Sequence, residues 1–469
     1  MNMKGINQTI KLGLEILTPT QSGSGEELFK ELDFIDRAGD AFIVDQAQSF
    51  NAVATGNLAL DTLLVSGSRL SDLVNAAGQD FGYRLPWLST KQKIPDKFRE
   101  QVKDAFNRPY LPGTAIKGAI RTALIAEWLR AMQPEHFSHL LPKKNHFGKA
   151  PPKNWAASEL IQALTGKLAN QDIFRPFKTT DILFNSSDLC LADIRWLNQS
   201  SWRSMTKKKS FSDWKEADGI CAEVLQPGSL ALANLQWDGF LLSDFCWQQS
   251  GTVANILPKD FAGLREHLNK HAKYRLGREV EFYQSQGKQQ PKDECQRILT
   301  QLENDHDAAY LQLSWGSGWR GMTGDWASEE QVKSFREIYN LGKAGNPIFP
   351  KTRRLAVSGE PKLPLGWIRL LPYEMVASRL ENLQAQQLVI ANKSGWVTQK
   401  IAQIAGQNRS SEKDALRGKA LAEAWQSLPD GEEKKSALID IKNRWQAENW
   451  WEEPNGKSAK QAKSIYEQN

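Results

Sequence analysis

Residues 110–124 contain a change of backbone geometry that the rest of the chain has to accommodate. Pro112 and Gly113 end an extended segment, and Thr114 can cap a helix by accepting a bond from a free backbone N–H. Ile116, Ile120 and Leu124 then recur at four-residue spacing and are expected to face a core. Lys117 and Arg121, also four apart, stack on a neighbouring face close to the helix start. There the unpaired N–H groups and the positive end of the helix dipole favour an anion. Gly118 has no side chain and would let a backbone or a sugar-phosphate come close. The same pattern also suits an ordinary capped core helix carrying two solvated cations.

Around this turn the chain reads as mixed α and β. Ile10, Leu12, Leu14 and Ile16 alternate with polar or small residues, the period of a half-buried strand, and a glycine-bearing loop is expected at 21–25. Further strands are expected at 41–45, 177–184, 230–237, 309–315 and 364–370, and helices near 58–76 and 260–300. Residues 142–155 read as a surface loop, and 203–215 as a basic loop holding Lys207, Lys208 and Lys209. Past 373 the character changes. Ala415, Leu416, Leu421 and Ala424 predict a helix capped by Ser410 or Ser411, Ala437 to Trp445 a second, and a polar Lys-rich tail follows 454. Two ferredoxin-like units, each β-α-β-β-α-β, would account for the length up to 372, although periodicity alone does not choose that arrangement.

Composition narrows function only slightly. The net charge of +6 is a mild basic excess, and nucleic-acid capture depends on where Lys and Arg cluster rather than on the total. Cys190, Cys221, Cys246 and Cys295 form no CxxC pair and read as reduced thiols of a cytoplasmic protein, with neither a signal peptide nor a bilayer-spanning run expected. The 17 Trp serve equally for core packing, partner contact and base stacking.

A second feature with chemical content is the run 313–324. Gly316, Gly318, Gly321 and Gly324 follow a strand and enclose Trp319 and Arg320. Successive N–H groups in such a loop can form an anion nest, Arg320 can grip a phosphate, and Trp315 or Trp319 can stack on a base. A long hairpin turn would have the same composition.

Taken together, the segments at 17–25, 110–124, 172–181, 223–228, 316–324, 350–354 and 365–367 resemble the RAMP superfamily of CRISPR proteins. Within it the likeness is to the type III-A Csm subunit that sits at the guide's 3′ end. The resemblance implies an α+β fold of two ferredoxin-like (RRM-like) RAMP units in tandem, over 1–228 and 229–372, with a helical C-terminal extension at 373–469. It implies a non-catalytic subunit that binds the guide (crRNA), caps its 3′ end and supports crRNA maturation and antiviral defence. A neighbouring RAMP backbone subunit and trimming nucleases would be its protein partners, with no cofactor, metal or membrane. Lys117, Gly118, Arg121, Gly316, Gly318, Trp319, Arg320 and Gly321 would lie along the RNA, with Arg175, Lys178, Arg353 and Arg354 further out. The protein would read backbone and shape while base pairing reads sequence. The extension has no counterpart in the family pattern, and its Trp425, Trp445, Trp450 and Trp451 could dock a partner or pack on their own domain.

Some RAMP proteins cut RNA, with a histidine or with an early aspartate and a divalent metal. His136, His139 and His146 lie in or beside a polar loop, and His267 and His271 are expected on one face of a surface helix. Asp33, Asp36 and Asp40 follow the first glycine loop, where acidic residues are usually just solvated. A ribonuclease and a protein-interaction subunit with little RNA contact are therefore the two alternatives to the guide cap.

Overall fold

The first strand among the described residues lies in the middle of a five-stranded sheet. In the computed structural model β1 (Asn7–Ile16) buries Leu12, Leu14 and Ile16, each no more than 2% exposed, as the alternation predicts. α1 (Gly113–Ala131) follows, then β2 (Phe177–Thr179), β3 (Leu230–Asp238), α2 (Phe261–Ser285) and β4 (Trp367–Pro372). β1 pairs antiparallel with β3 on one side and β4 on the other, so that Leu14 faces both Ala231 and Leu370. The order β4-β1-β3-β2, with strand Ala309–Gln312 added beside β4, is that of a single β-α-β-β-α-β unit. Ile116, Ile120 and Leu124 of α1 and Leu264 and Leu268 of α2 join the sheet in one core.

A second, eight-stranded sheet runs Ser210–Phe211, Ser201–Arg203, Leu189–Asn198, Ile220–Leu225, Lys97–Gln101, Gly23–Phe29. Strand Thr352–Ser358 also pairs with Leu189–Asn198, and carries Glu360–Pro364 with it. Both sheets thus draw on residues from either side of position 228. The tandem division expected at 228/229 is corrected accordingly: the two halves interleave, and residues 1–377 form one compact unit. The structure describes residues 7–55, 69–136, 158–241, 257–321, 325–342 and 348–467, apart from 79, 90, 91, 167, 205, 259, 340, 409, 430, 449, 452, 453 and 455. The loop expected at 142–155, residues 58–68 of the first expected helix, His139, His146, Cys246 and Gly324 lie outside the described residues.

Local departures have local causes. Residues 23–25, expected in a loop, start strand Gly23–Phe29, which pairs with Lys97–Gln101 through an irregular register. The strand expected at 177–184 is broken in two after Thr179. Thr114 does not cap α1: Pro112 holds the cap position, and the Asp181 carboxylate accepts the Gly113 N–H at 2.8 Å. A distant side chain therefore does the work expected of the local one.

The second unit, 378–469, begins within helix Tyr373–Asn408. Ser411 caps Glu412–Arg417 as predicted, but Gly418 splits the single expected helix, and Lys419–Gln426 follows separately. The supposed polar tail contains helix Lys457–Glu467, whose Ala459, Ala462 and Tyr466 complete the core around Trp425 and Trp445. Among the described residues no helix is long and apolar enough to cross a membrane.

Candidate nucleic-acid interface

Three motifs far apart in sequence meet at one cleft of about 680 Å³. Gln21, Ser22 and Gly23 come from the first glycine segment, Trp315, Gly316, Gly318 and Trp319 from the second, and Thr352 and Arg354 from the basic strand, with Trp196 completing the wall. Gly316 has a φ of 106°, and a Cβ there would lie 2.5 Å from the Leu365 Cβ. Only glycine turns the chain at that point without displacing Leu365. Trp319 is pinned edge-on to Phe349, with ring centroids 5.2 Å apart.

The electrostatic centre of the cleft is Trp315. The Arg354 and Arg99 guanidinium carbons lie 5.3 and 5.8 Å from its ring centroid. Among the described residues neither arginine forms an ion pair. Burial, and then the charge of Arg99, pull the Arg354 pKa below its usual value. Two cations crowded on one ring without a carboxylate form a site that an anion would relieve.

Strand geometry decides which predicted cations can serve. Arg353 and Arg354 are neighbours on one strand and so point to opposite faces. Arg353 turns inward, 2.6 Å from Glu279 and over the Phe282 ring at 3.9 Å. Arg320 is 6% exposed and bonded to Glu329 at 2.7 Å and to the Ala327 carbonyl. Both were expected along a ligand, and both instead brace the protein around a second hollow of about 340 Å³.

The start of α1 offers a second cationic patch. Lys117 is half-buried; burial lowers its pKa, and Arg121 and Lys178 push the same way against Asp172. Arg121 itself bonds to Asp172 at 3.1 Å and to Thr165 at 2.9 Å. Gly118 is exposed, with open space where a Cβ would stand, while Arg175 and Lys178 are exposed nearby on the strand side. Ala119 and Thr122 of α1 and Gly321 of the glycine loop line one small cavity, with His271 and Arg275 behind it.

A buried charge network fixes the loop from behind. Arg275 of α2 reaches the Gln312 side chain at 2.6 Å, the Ser317 carbonyl at 3.2 Å and Asp325 at 3.4 Å. His271, expected on a surface, is 7% exposed, with Nε2 3.1 Å from Asp325 and Nδ1 3.3 Å from Arg130. Burial lowers its pKa to about 4 against the opposing charge of Asp325, while Arg275 and Arg130 lower it further and Glu127 raises it. A histidine held neutral in the fold but free to protonate when unfolded makes stability fall as pH drops from about 6.5 to about 4. The loss expected over that window is about 3 kcal/mol. Urea unfolding of wild type and His271→Leu across it should show a steep decline only in the wild type; equal slopes would refute the assignment.

The early aspartates have structural partners. Asp33 accepts the Phe29 N–H at 2.8 Å and Asp36 the Gly39 N–H at 3.0 Å. Sequence reading overlooked Arg99 and Trp196, which lie on ordinary strands with no motif around them.

A family model for the RAMP superfamily matches residues 14–227. The CRISPR system Cms protein Csm5 of Methanocaldococcus jannaschii is 23% identical over 413 residues, covering 78% of this chain and 89% of that protein. The Streptococcus thermophilus protein of the same name is 28% identical over 186 residues, covering 34% of this chain and 52% of its own length. In fold, the chain is similar to one in a cryo-EM structure of a type III-A Csm-crRNA-target RNA ternary complex (TM-score 0.50, 20% identity, 77% of this chain and 100% of that one). It is equally similar to the crystal structure of T. onnurineus Csm5 (TM-score 0.50, 18% identity, 76% and 99%).

Proposed function

We propose that this chain, which carries a RAMP-superfamily domain and resembles Csm5, is a crRNA-binding subunit of a type III CRISPR effector complex. It binds the guide near its 3′ end, without cutting it, and supports guide maturation and antiviral defence in the cytoplasm. The observation that carries this reading is the meeting of residues 21–23, the glycine loop from Trp315 to Trp319, and Thr352 and Arg354, around a tryptophan flanked by two arginines that form no ion pair among the described residues. Such a site offers a stacking face for one base and two charges for the adjoining phosphates. That is how a protein holds RNA whose sequence is read elsewhere by pairing. Lys117, Gly118, Arg175 and Lys178 form a second stretch of backbone contact. A neighbouring RAMP backbone subunit and trimming nucleases are the protein partners of this role.

The test is to purify the tagged chain with its assembled complex, crosslink with ultraviolet light and sequence the bound RNA. Crosslinks on the 3′ portion of guides that disappear in Trp315→Ala support the role. Crosslinks spread along target RNA, with cleavage by the isolated chain, would reassign it as a nuclease.

A further inference from the structure

The basic hairpin around Lys208 is absorbed by none of the above, yet the register of the second sheet ties it to the cleft. Trp196, which lines the cleft, lies opposite Arg354 on one side and opposite Arg203 on the other. Arg203 in turn lies opposite Ser210 on the edge strand. Residues directly opposite one another in antiparallel strands share a face, so Arg354, Trp196, Arg203 and Ser210 form one row. At about 4.8 Å per strand the row spans about 14 Å, of which about 10 Å, from Trp196 to Ser210, lies beyond the cleft. Arg203 and Ser210 are exposed, and the row ends at the tip carrying exposed Lys208 and Lys209. The opposite row, Arg353, Leu197, Trp202 and Phe211, is the covered one, with Leu197 0% and Trp202 6% exposed.

We propose that this row is a continuation of the RNA path: a single strand leaving the cleft runs over Trp196 to Arg203, with Lys208 and Lys209 as its outer phosphate contacts. This rests on the cleft binding RNA. Lysines beside an edge strand also discourage sheet-to-sheet aggregation, and that role alone would account for Lys208 and Lys209. It would not account for an arginine and a half-buried tryptophan in unbroken register with the cleft.

The test uses the full chain and labelled single-stranded RNA of increasing length, over the range of about 4 to 16 nucleotides that single-strand-binding domains span. Affinity of the wild type should rise with length and then level off. The variant Arg203→Gln/Lys208→Gln/Lys209→Gln should bind the shortest RNA as the wild type does and the longest about tenfold more weakly, with a log–log salt slope smaller by about 2. An unchanged length dependence, or equal weakening at every length, would overturn the path. Normal RNA binding with failure to enter the complex would overturn it too, and make the hairpin a protein-docking edge. If the wild type binds no RNA of any length, the cleft reading itself fails, a result distinct from all of these.

Discussion

Alanine at both Arg99 and Arg354 is expected to weaken binding of short single-stranded RNA about a hundredfold and to leave the fold intact. Contacts from a charged donor to a phosphate contribute about 1.5–3 kcal/mol each, so even the lower figure for two gives about 3 kcal/mol. The salt dependence should flatten in step, by about 1.4 in log–log slope for two phosphates on a single strand. Stability should hold because neither arginine forms an ion pair among the described residues, and removing two like charges around Trp315 relieves a repulsion. Arg353→Ala is the informative contrast. It strands Glu279 in a half-buried setting and should lower the melting temperature rather than act on RNA directly. Anisotropy titrations at several salt concentrations, with a thermal melt of each variant, separate the two behaviours. An Arg99→Ala/Arg354→Ala protein that keeps wild-type affinity would remove the cleft from consideration.

The other large effect lies in the second unit. Trp445 is 0% exposed, meets Trp450, Trp451 and Tyr466 edge-on or nearly so, and donates its indole N–H to the Leu416 carbonyl at 3.0 Å. Truncating such a residue to alanine costs about 3–5 kcal/mol. A helical unit of this size has little more than that in hand, since domains are stable by about 5–15 kcal/mol. Trp445→Ala is therefore expected to unfold residues 378–469 selectively. Limited proteolysis should release a stable fragment close to the 1–377 unit, and a digestion pattern matching wild type would contradict the assignment.

What could be read from the sequence follows the range of the interactions concerned. The alternation at 10–16 and the four-residue spacing of Ile116, Ile120 and Leu124 are local signals, and both faces are where they were expected. The glycine loop was legible because positive φ at Gly316 and Gly318 is a property of single residues. Arg353 and Arg354 look identical in sequence, and only pairing with residues 194–198 settles which one faces the cleft. Thr114 was the obvious cap, but Asp181 arrives from 68 positions away. Helix Lys457–Glu467 was hidden by its three lysines, which interleave with the narrow stripe of Ala459, Ala462 and Tyr466. The division at 228 failed because strand pairing leaves no mark on composition.

The central place of β1 also sets a timetable. It leaves the ribosome well before its two neighbours, Leu230–Asp238 and Trp367–Pro372. At about 5–20 residues per second, β1 waits on the order of half a minute for its last partner. Through that interval an apolar strand has at least one open edge, the condition in which nascent chains recruit chaperones or aggregate. A message cut short before Trp367–Pro372 leaves β1 with an open edge and strand Ala309–Gln312 without the strand it pairs with, rather than a smaller version of the sheet. The cleft takes Thr352 and Arg354 from the same late stretch of chain, so it too is completed only when most of the 1–377 unit has been made.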